Sequence, residues 1–282
     1  MRIAHISDLH FGRNDHEVTE GLALELFSQA PDLVVASGDF TMVGSPGEFR
    51  QARDFLDTVA VPWFAVPGNH DVPKNLFRRF LDPFGLYRKF ISPQTDTFLE
   101  MDGVALAGVN TARRWRPELD WSQGSINRHQ LERLEQQFFE ASPKSLRVVV
   151  AHHPLMAPEV VADGHKRPVH RADRALQTFA RLGVRLVLSG HFHMSYVRRH
   201  ERPNTVAEGA PTGLRKAAAA PVLVAQASTV ISTRTRGEPN AYNLIDITPE
   251  HDEVVIAVRE WVDDGWRTRE AAPLPVPQPV AA

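Results

Sequence analysis

Ten side chains able to bind metal ions or move protons fall into five short clusters along the chain. These are Ser7-Asp8-Leu9-His10, Gly38-Asp39, Gly68-Asn69-His70-Asp71, His152-His153-Pro154 and Gly190-His191-Phe192-His193. Carboxylates, a neutral amide oxygen and imidazoles are hard and borderline donors. They suit Mn, Fe, Zn or Mg rather than a soft copper-type site. The chain has no cysteine, which excludes thiolate ligands, disulfides and thiol nucleophiles. It also lacks a G-x-S-x-G nucleophile elbow, a G-x-G-x-x-G loop and a Walker sequence. Asp8 and His10 are two residues apart, as are His191 and His193, and in extended chain such pairs point the same way. Glycine precedes Asp39, Asn69 and His191, where it allows close backbone approach and unusual dihedrals.

Taken singly, each cluster has an ordinary reading. Asp8 suits a cap, Gly38-Asp39 a turn, Asn69 a left-handed turn position, and His152 or His153 a satisfied core histidine. What distinguishes them is where the pattern puts them. Hydrophobic periodicity predicts strands over residues 3–7, 33–37, 61–66, 146–151 and 184–189, and each runs directly into one of the five clusters. Helices are predicted over 17–30, 46–59, 127–141 and 171–182, with Pro46 suited to a first turn. Strands over 97–101 and 104–109 are joined through Asp102-Gly103, the signature of a hairpin with a primed turn. Alternation of this kind means a layered α/β fold, in which ligands bind at the carboxyl ends of the strands.

After Met194 the character changes. Residues 203–221 are rich in Ala, Gly and Pro and read as a loop, whereas 222–225, 242–247 and 254–261 read as strands with little helix between them. That predicts a mixed sheet or a two-sheet sandwich. We place one domain over residues 1–270 and a proline-rich, unpacked tail over 271–282.

Of the 282 residues, 43% are hydrophobic and 23% charged, so a sizeable core can be buried. Thirty-two Lys plus Arg against 34 Asp plus Glu leave a net charge of −2, which argues against dedicated nucleic-acid binding. Neither an apolar leader nor a membrane-length apolar run is visible, so a soluble, cytoplasmic protein is expected. A homo-oligomer is compatible with this composition. The stretch Arg113-Arg114-Trp115-Arg116 offers guanidinium forks and a stacking face to a phosphate or base, and otherwise reads as a solvated loop.

In order and spacing, the five clusters resemble the D-x-H, G-D, G-N-H-D, H-x-P and G-H-x-H blocks of the calcineurin-like metallophosphoesterase superfamily. The match covers roughly residues 1–200, with all five blocks intact. Gly124-Ser125-Ile126, with Gln130, Leu131 and Leu134, is similar to the bacterial class III cyclic-nucleotide phosphodiesterase branch. The lipid-A precursor hydrolases usually carry Arg where this chain has His70.

The resemblance implies a four-layer α/β/β/α sandwich of two mixed sheets flanked by helices. It also implies two divalent or trivalent metal ions. Asp8, His10, Asp39 and His193 would hold one, and Asp39, Asn69, His152 and His191 the other, with both Asp39 oxygens engaged. Such a cation pair would lower the pKa of a bridging water and neutralise phosphoryl oxygens, so that hydroxide would attack phosphorus in line. His70 would protonate the departing oxygen, with Asp71 fixing its tautomer and raising its pKa. His153 is a substrate contact or a packed neighbour, and Arg113, Arg114 and Arg116 are candidate substrate contacts. The reading is a phosphodiesterase for a small nucleotide-type diester. The alternatives are a phosphomonoesterase or nuclease of the same fold, or a non-catalytic scaffold.

Overall fold

The computed structural model describes residues 1–113, 123–158, 167–201 and 221–269. Two six-stranded mixed sheets pack face to face. The first runs in the order β12-β11-β10-β1-β2-β3. It comprises β1 (Arg2–Ile6), β2 (Leu33–Ala36), β3 (Trp63–Ala65), β10 (Ala241–Thr248), β11 (Glu253–Val262) and β12 (Gly265–Thr268). The second runs β4-β5-β6-β7-β9-β8. Its strands are β4 (Phe98–Met101), β5 (Val104–Val109), β6 (Leu146–Ala151), β7 (Val184–Ser189), β8 (Tyr196–His200) and β9 (Val222–Gln226).

Strand periodicity sorts the buried residues into three apolar layers. Ile3, Val35, Val148, Val150, Leu186 and Leu188 meet between the sheets. Their neighbours in sequence point to the outer faces. Ala4, Val34 and Ala36 pack under α1 (His16–Gln29) and α2 (Pro46–Thr58), with Leu22, Leu26, Phe49 and Leu56. Val149 and Val187 pack under α5 (Arg128–Glu140) and α6 (Ala172–Arg181), with Leu134, Phe138, Leu176 and Phe179. Strands covered on both faces read as continuous apolar runs, as parallel strands do. Emptying one layer, as in Phe138→Ala, costs about 3–5 kcal/mol by lost contact and cavity formation.

Local chemistry sets the helix starts. Asp15 accepts from the backbone of Glu17 and Val18, and Ser45 with Glu48 forms a capping box behind Pro46. Asn127 and Gln130 form a second capping box, which explains the Gly124-to-Gln130 pattern locally. Asp102 and Gly103 both adopt positive φ (48° and 74°), as the primed turn requires.

The four-layer expectation holds, and the late strands extend both sheets. Five short elements escape the periodicity reading: α3 (Leu76–Leu81), α4 (Gly85–Phe90), a 3-10 turn (Pro249–His251), β8 and β12. Six-residue helices and edge strands are too short to show a period. All of the predicted 203–221 loop except Pro221, and the whole 271–282 tail, lie outside the described residues.

Candidate metal centre

Strands β1, β2 and β3 are parallel, as are β5, β6, β7 and β9, so the carboxyl ends of each set open on one rim. Beyond those ends the chain does not stay extended. Asp8, His10, Asp39, His191 and His193 have φ of 54°, 49°, 55°, 77° and 54°. The same-side pairing of Asp8 with His10, and of His191 with His193, therefore comes from left-handed turns and not from strand geometry. Each such residue costs about 1–2 kcal/mol, and five of the eleven described non-glycine residues with positive φ belong to the cluster.

Neighbouring loops hold the strained positions. Asp8 N–H donates to Gly38 O at 3.0 Å, His10 N–H to Asp39 O at 2.9 Å, and Gly190 N–H to His152 O at 2.9 Å. Glycine is required where the loops touch. A Cβ on Gly68 would strike Asp39, and one on Gly190 would strike Ser7 and Asp8.

The carboxylates divide their oxygens between structure and site. Asp8 Oδ2 accepts from Ser7 Oγ at 2.7 Å and from His191 N–H at 2.8 Å. Asp8 Oδ1 is buried with no hydrogen-bond partner and lies 3.1 Å from His193 Nε2. Asp39 Oδ1 accepts from His70 N–H at 2.8 Å. Asp39 Oδ2 lies 3.3 Å from His152 Nε2 and 3.7 Å from His10 Nε2. Asp39 Oδ2 therefore faces the imidazoles, while Oδ1 also serves the His70 backbone.

Backbone carbonyls orient the imidazoles. His10 Nδ1 donates to Thr41 O at 3.3 Å, His152 Nδ1 to Ser37 O at 2.8 Å, and His193 Nδ1 to Arg234 O at 2.8 Å. A carbonyl only accepts, so each of these rings carries a proton on Nδ1, and in the neutral ring the remaining Nε2 lone pair faces inward. His10 Nε2 and His193 Nε2 are 3.2 Å apart. Two converging lone pairs beside a buried, unpartnered carboxylate oxygen are unfavourable unless a cation or a proton lies between them. This donor chemistry fits a bound metal ion.

Every predicted ligand reaches one continuous cluster. Donor atoms of Asp8, His10 and His193 lie within 4.8 Å of one another, as do those of Asp8, Asp39 and His152, and of His152, His153 and His191. Asn69 Oδ1 joins through His152 Nε2 at 3.2 Å. Electrostatics couple these groups. Burial would raise the Asp39 pKa, but neighbouring His152 and His70 hold it well below the usual carboxylate range. Burial would lower His152, yet the Asp39 charge outweighs that and pushes it up to about 9. Burial, aided by His152, pushes His191 down to about 3.

His70 and Asp71 depart from expectation. Both Asp71 oxygens serve backbone and hydroxyl groups: Oδ1 accepts from Thr41 N–H and Oγ1, and Oδ2 from Gly68 N–H. Burial, reinforced by the Asp39 charge, pushes Asp71 up to about 7. The His70 tautomer is instead fixed by Met42 O, which accepts from Nδ1 at 2.7 Å, and burial lowers the His70 pKa rather than raising it. Asp71 braces the loops around Gly68 and Thr41.

His153 is a buried packed neighbour. Its Nδ1 is 2.7 Å from Thr111 Oγ1, and its ring centroid is 4.6 Å from that of His191. Arg113 is half-buried, while Arg114 and Arg116 lie outside the described residues. The sequence reading missed Arg234, whose Nη1 lies 3.4 Å from His70 Nε2. Nothing local distinguishes it from Arg236. The available signal was a further polar strand end, Gln226-Ala227-Ser228-Thr229, leading towards it.

A family model described as calcineurin-like phosphoesterase matches residues 1–195. The glycerophosphodiester phosphodiesterase GpdQ of Enterobacter lignolyticus is 29% identical over 185 residues, 59% of this chain and 64% of that protein. The match therefore spans just under two thirds of that relative's length. The 3′,5′-cyclic adenosine monophosphate phosphodiesterase CpdA of Escherichia coli K12 is 26% identical over 68% of this chain and 70% of its own. A cAMP/cGMP dual specificity phosphodiesterase of Mycobacterium tuberculosis is 27% identical over 88% of this chain and 76% of its own. Among solved structures, a purple acid phosphatase from yellow lupin seeds has a TM-score of 0.63 at 13% identity, covering 95% of this chain and 52% of the lupin chain. A dimetal phosphatase from Danio rerio has a TM-score of 0.61 at 14% identity, covering 95% of this chain and 98% of its own. At such identity these two speak for the fold alone.

Proposed function

The chain belongs to the calcineurin-like phosphoesterase family, and on that premise we propose that it is a two-metal phosphodiesterase hydrolysing a small nucleotide-type phosphodiester. The observation that carries this reading is the paired geometry of the donor cluster. His10 and His193 present Nε2 lone pairs 3.2 Å apart beside the unpartnered Asp8 Oδ1. Asp39 Oδ2 lies between that set and the set of His152, Asn69 and His191. In this reading Asp8, His10, Asp39 and His193 hold one divalent cation, and Asp39, Asn69, His152 and His191 hold a second, drawn from Mn, Fe, Zn or Mg.

Such a cation pair supplies Lewis-acid polarisation of a phosphoryl group and a supply of hydroxide near neutral pH. The protein's own share is orientation and proton movement. The carbonyls of Thr41, Ser37 and Arg234 keep three imidazoles in the ligating tautomer. His70, half-buried on the open side with Nδ1 locked on Met42 O, directs Nε2 towards the leaving oxygen and carries its proton there. The curated relatives are named for cyclic nucleotides and glycerophosphodiesters, both small diesters. That favours a small diester substrate. No helix among the described residues is long and apolar enough to cross a membrane.

The test is a panel of cyclic nucleotides, linear alkyl and aryl diesters, phosphomonoesters and single-stranded nucleic acid, each assayed with Mn, Fe, Zn and Mg. The highest kcat/KM is expected on a cyclic or small linear diester, with two metal equivalents per chain. Turnover confined to monoesters or nucleic acid would replace the diester reading. Absence of bound metal under all conditions would leave only a scaffold.

A further inference from the structure

Arg234 lies in the segment between β9 and β10, beyond the residues matched by the family model. Its backbone is fixed to the cluster. The carbonyl accepts from His193 Nδ1 at 2.8 Å, and its N–H donates to Ser232 Oγ at 3.1 Å. The preceding Thr233 donates to Arg13 O from both its N–H (2.8 Å) and its hydroxyl (3.0 Å). With its main chain held, the side chain reaches across the open side of the cluster, where Asn69, His70 and His191 are half-buried.

There the guanidinium meets weak partners. Nη1 is 3.4 Å from His70 Nε2 and 3.7 Å from Met42 Sδ, and no carboxylate among the described residues forms an ion pair with it. A guanidinium carries five donors in a planar fork suited to two oxygens of one anion. The partners of the Arg234 guanidinium among the described residues are a thioether and an imidazole, both weaker acceptors than an oxygen anion. Beside a cluster suited to phosphoester chemistry, an oxygen anion is the partner that fork fits best.

We infer that the Arg234 guanidinium holds a non-bridging oxygen of the substrate phosphoryl group, leaving His70 Nε2 for the departing oxygen. This rests on the phosphoesterase reading. It assigns Arg234 to the part of the substrate common to all phosphoesters, and His70 to the part that varies.

The experiment uses the full chain loaded with Mn, as wild type, Arg234→Gln and Arg234→Lys. Inorganic phosphate is the binding probe, followed by calorimetry and by competitive inhibition. KM and kcat are measured on an aryl and an alkyl diester, with metal content in parallel. Metal content should not change, because the Arg234 carbonyl that orients His193 remains. Phosphate affinity should fall about tenfold or more in Arg234→Gln and recover partly in Arg234→Lys. The value of kcat/KM should fall by roughly 10²-fold, alike on both diesters, as for loss of one donor to developing charge. Unchanged phosphate affinity would overturn the inference, and so would loss of metal. A loss confined to the alkyl diester would also overturn it, assigning Arg234 to His70 instead. If wild type turns over neither diester, the phosphodiesterase reading fails, while phosphate calorimetry still decides the role of Arg234.

Discussion

The two halves of the candidate centre are built differently. Asp8, His10 and His193 are at most 2% exposed, and both imidazoles hang on carbonyls from distant loops, Thr41 and Arg234. On the other side Asn69 and His191 are half-buried, and His191 is bounded mainly by the rings of His152, His153 and Phe192. The closed half fixes donor atoms to a spacing that only a small cation or a proton satisfies. The open half leaves donors and two further polar side chains, His70 and Arg234, within reach of a ligand from solvent. The contrast separates holding an ion from receiving a substrate.

The largest test of that division is the group both halves share. Asp39→Asn should reduce metal content from two equivalents to less than one by elemental analysis, with activity falling by more than about 10³-fold. His10→Ala should remove only the closed half's ion. An Asp39→Asn variant that kept both ions would break the assignment of Oδ2 to the shared position.

A smaller and selective effect is expected on the open side. General acid catalysis is worth about 10²–10⁴-fold, and the factor shrinks as the leaving group improves. His70→Asn should therefore keep its metals yet lose far more kcat/KM on an alkyl or cyclic diester than on bis-p-nitrophenyl phosphate. Equal losses on both would mean that His70 positions the phosphoryl group and moves no proton.

Behind the closed half, Ser7 donates to Asp8 Oδ2 from a fully buried position. Ser7→Ala should weaken metal affinity about 10–100-fold, the usual cost of losing an orienting partner of a ligand. KM at saturating metal should stay unchanged. A shift in KM with unaltered metal affinity would contradict the proposed separation of roles.

The smallest functional effect is predicted at His5, which lies beneath both halves. His5 is fully buried between Ser37 Oγ (2.9 Å) and Asn243 Nδ2 (3.1 Å), and burial pushes its pKa down to about 3. The unfolded chain binds a proton at this residue below about pH 6.5, and the folded chain does not until about pH 3. Its contribution to stability is therefore complete above pH 6.5 and lost as pH falls towards 3, at up to about 1.4 kcal/mol per pH unit. His5→Gln should flatten that part of the denaturation profile while leaving kcat near wild type. An unchanged slope would show that other groups govern the acid transition.

The succession of strands and helices along the chain was readable because β6 and β7 alternate two buried faces, and because Asn127 and Ser45 carry their caps in the local sequence. The ligand set was readable for a related reason: residue type alone says what Asp8, His152 or His193 can bind, and strand ends say where they must gather. The Asp71 role was misread because sequence adjacency to His70 does not reveal hydrogen-bond direction. Thr41 and Gly68 claim both of its oxygens.

By itself, then, the sequence determined the donor chemistry, its distribution over five strand ends, and the layered α/β frame that brings those ends to one rim. Only the tertiary structure decided how each donor is presented. Left-handed turns aim Asp8, His10, Asp39, His191 and His193 inward, and they hold because other loops supply the opposing hydrogen bonds. Imidazole tautomers are set by carbonyls 31, 115 and 41 residues away from His10, His152 and His193. Arg234 reaches His70 across 164 residues. Propensity and periodicity act over a few residues. A proton's position on a ring, or the acceptor facing a guanidinium, depends on partners that only folding supplies.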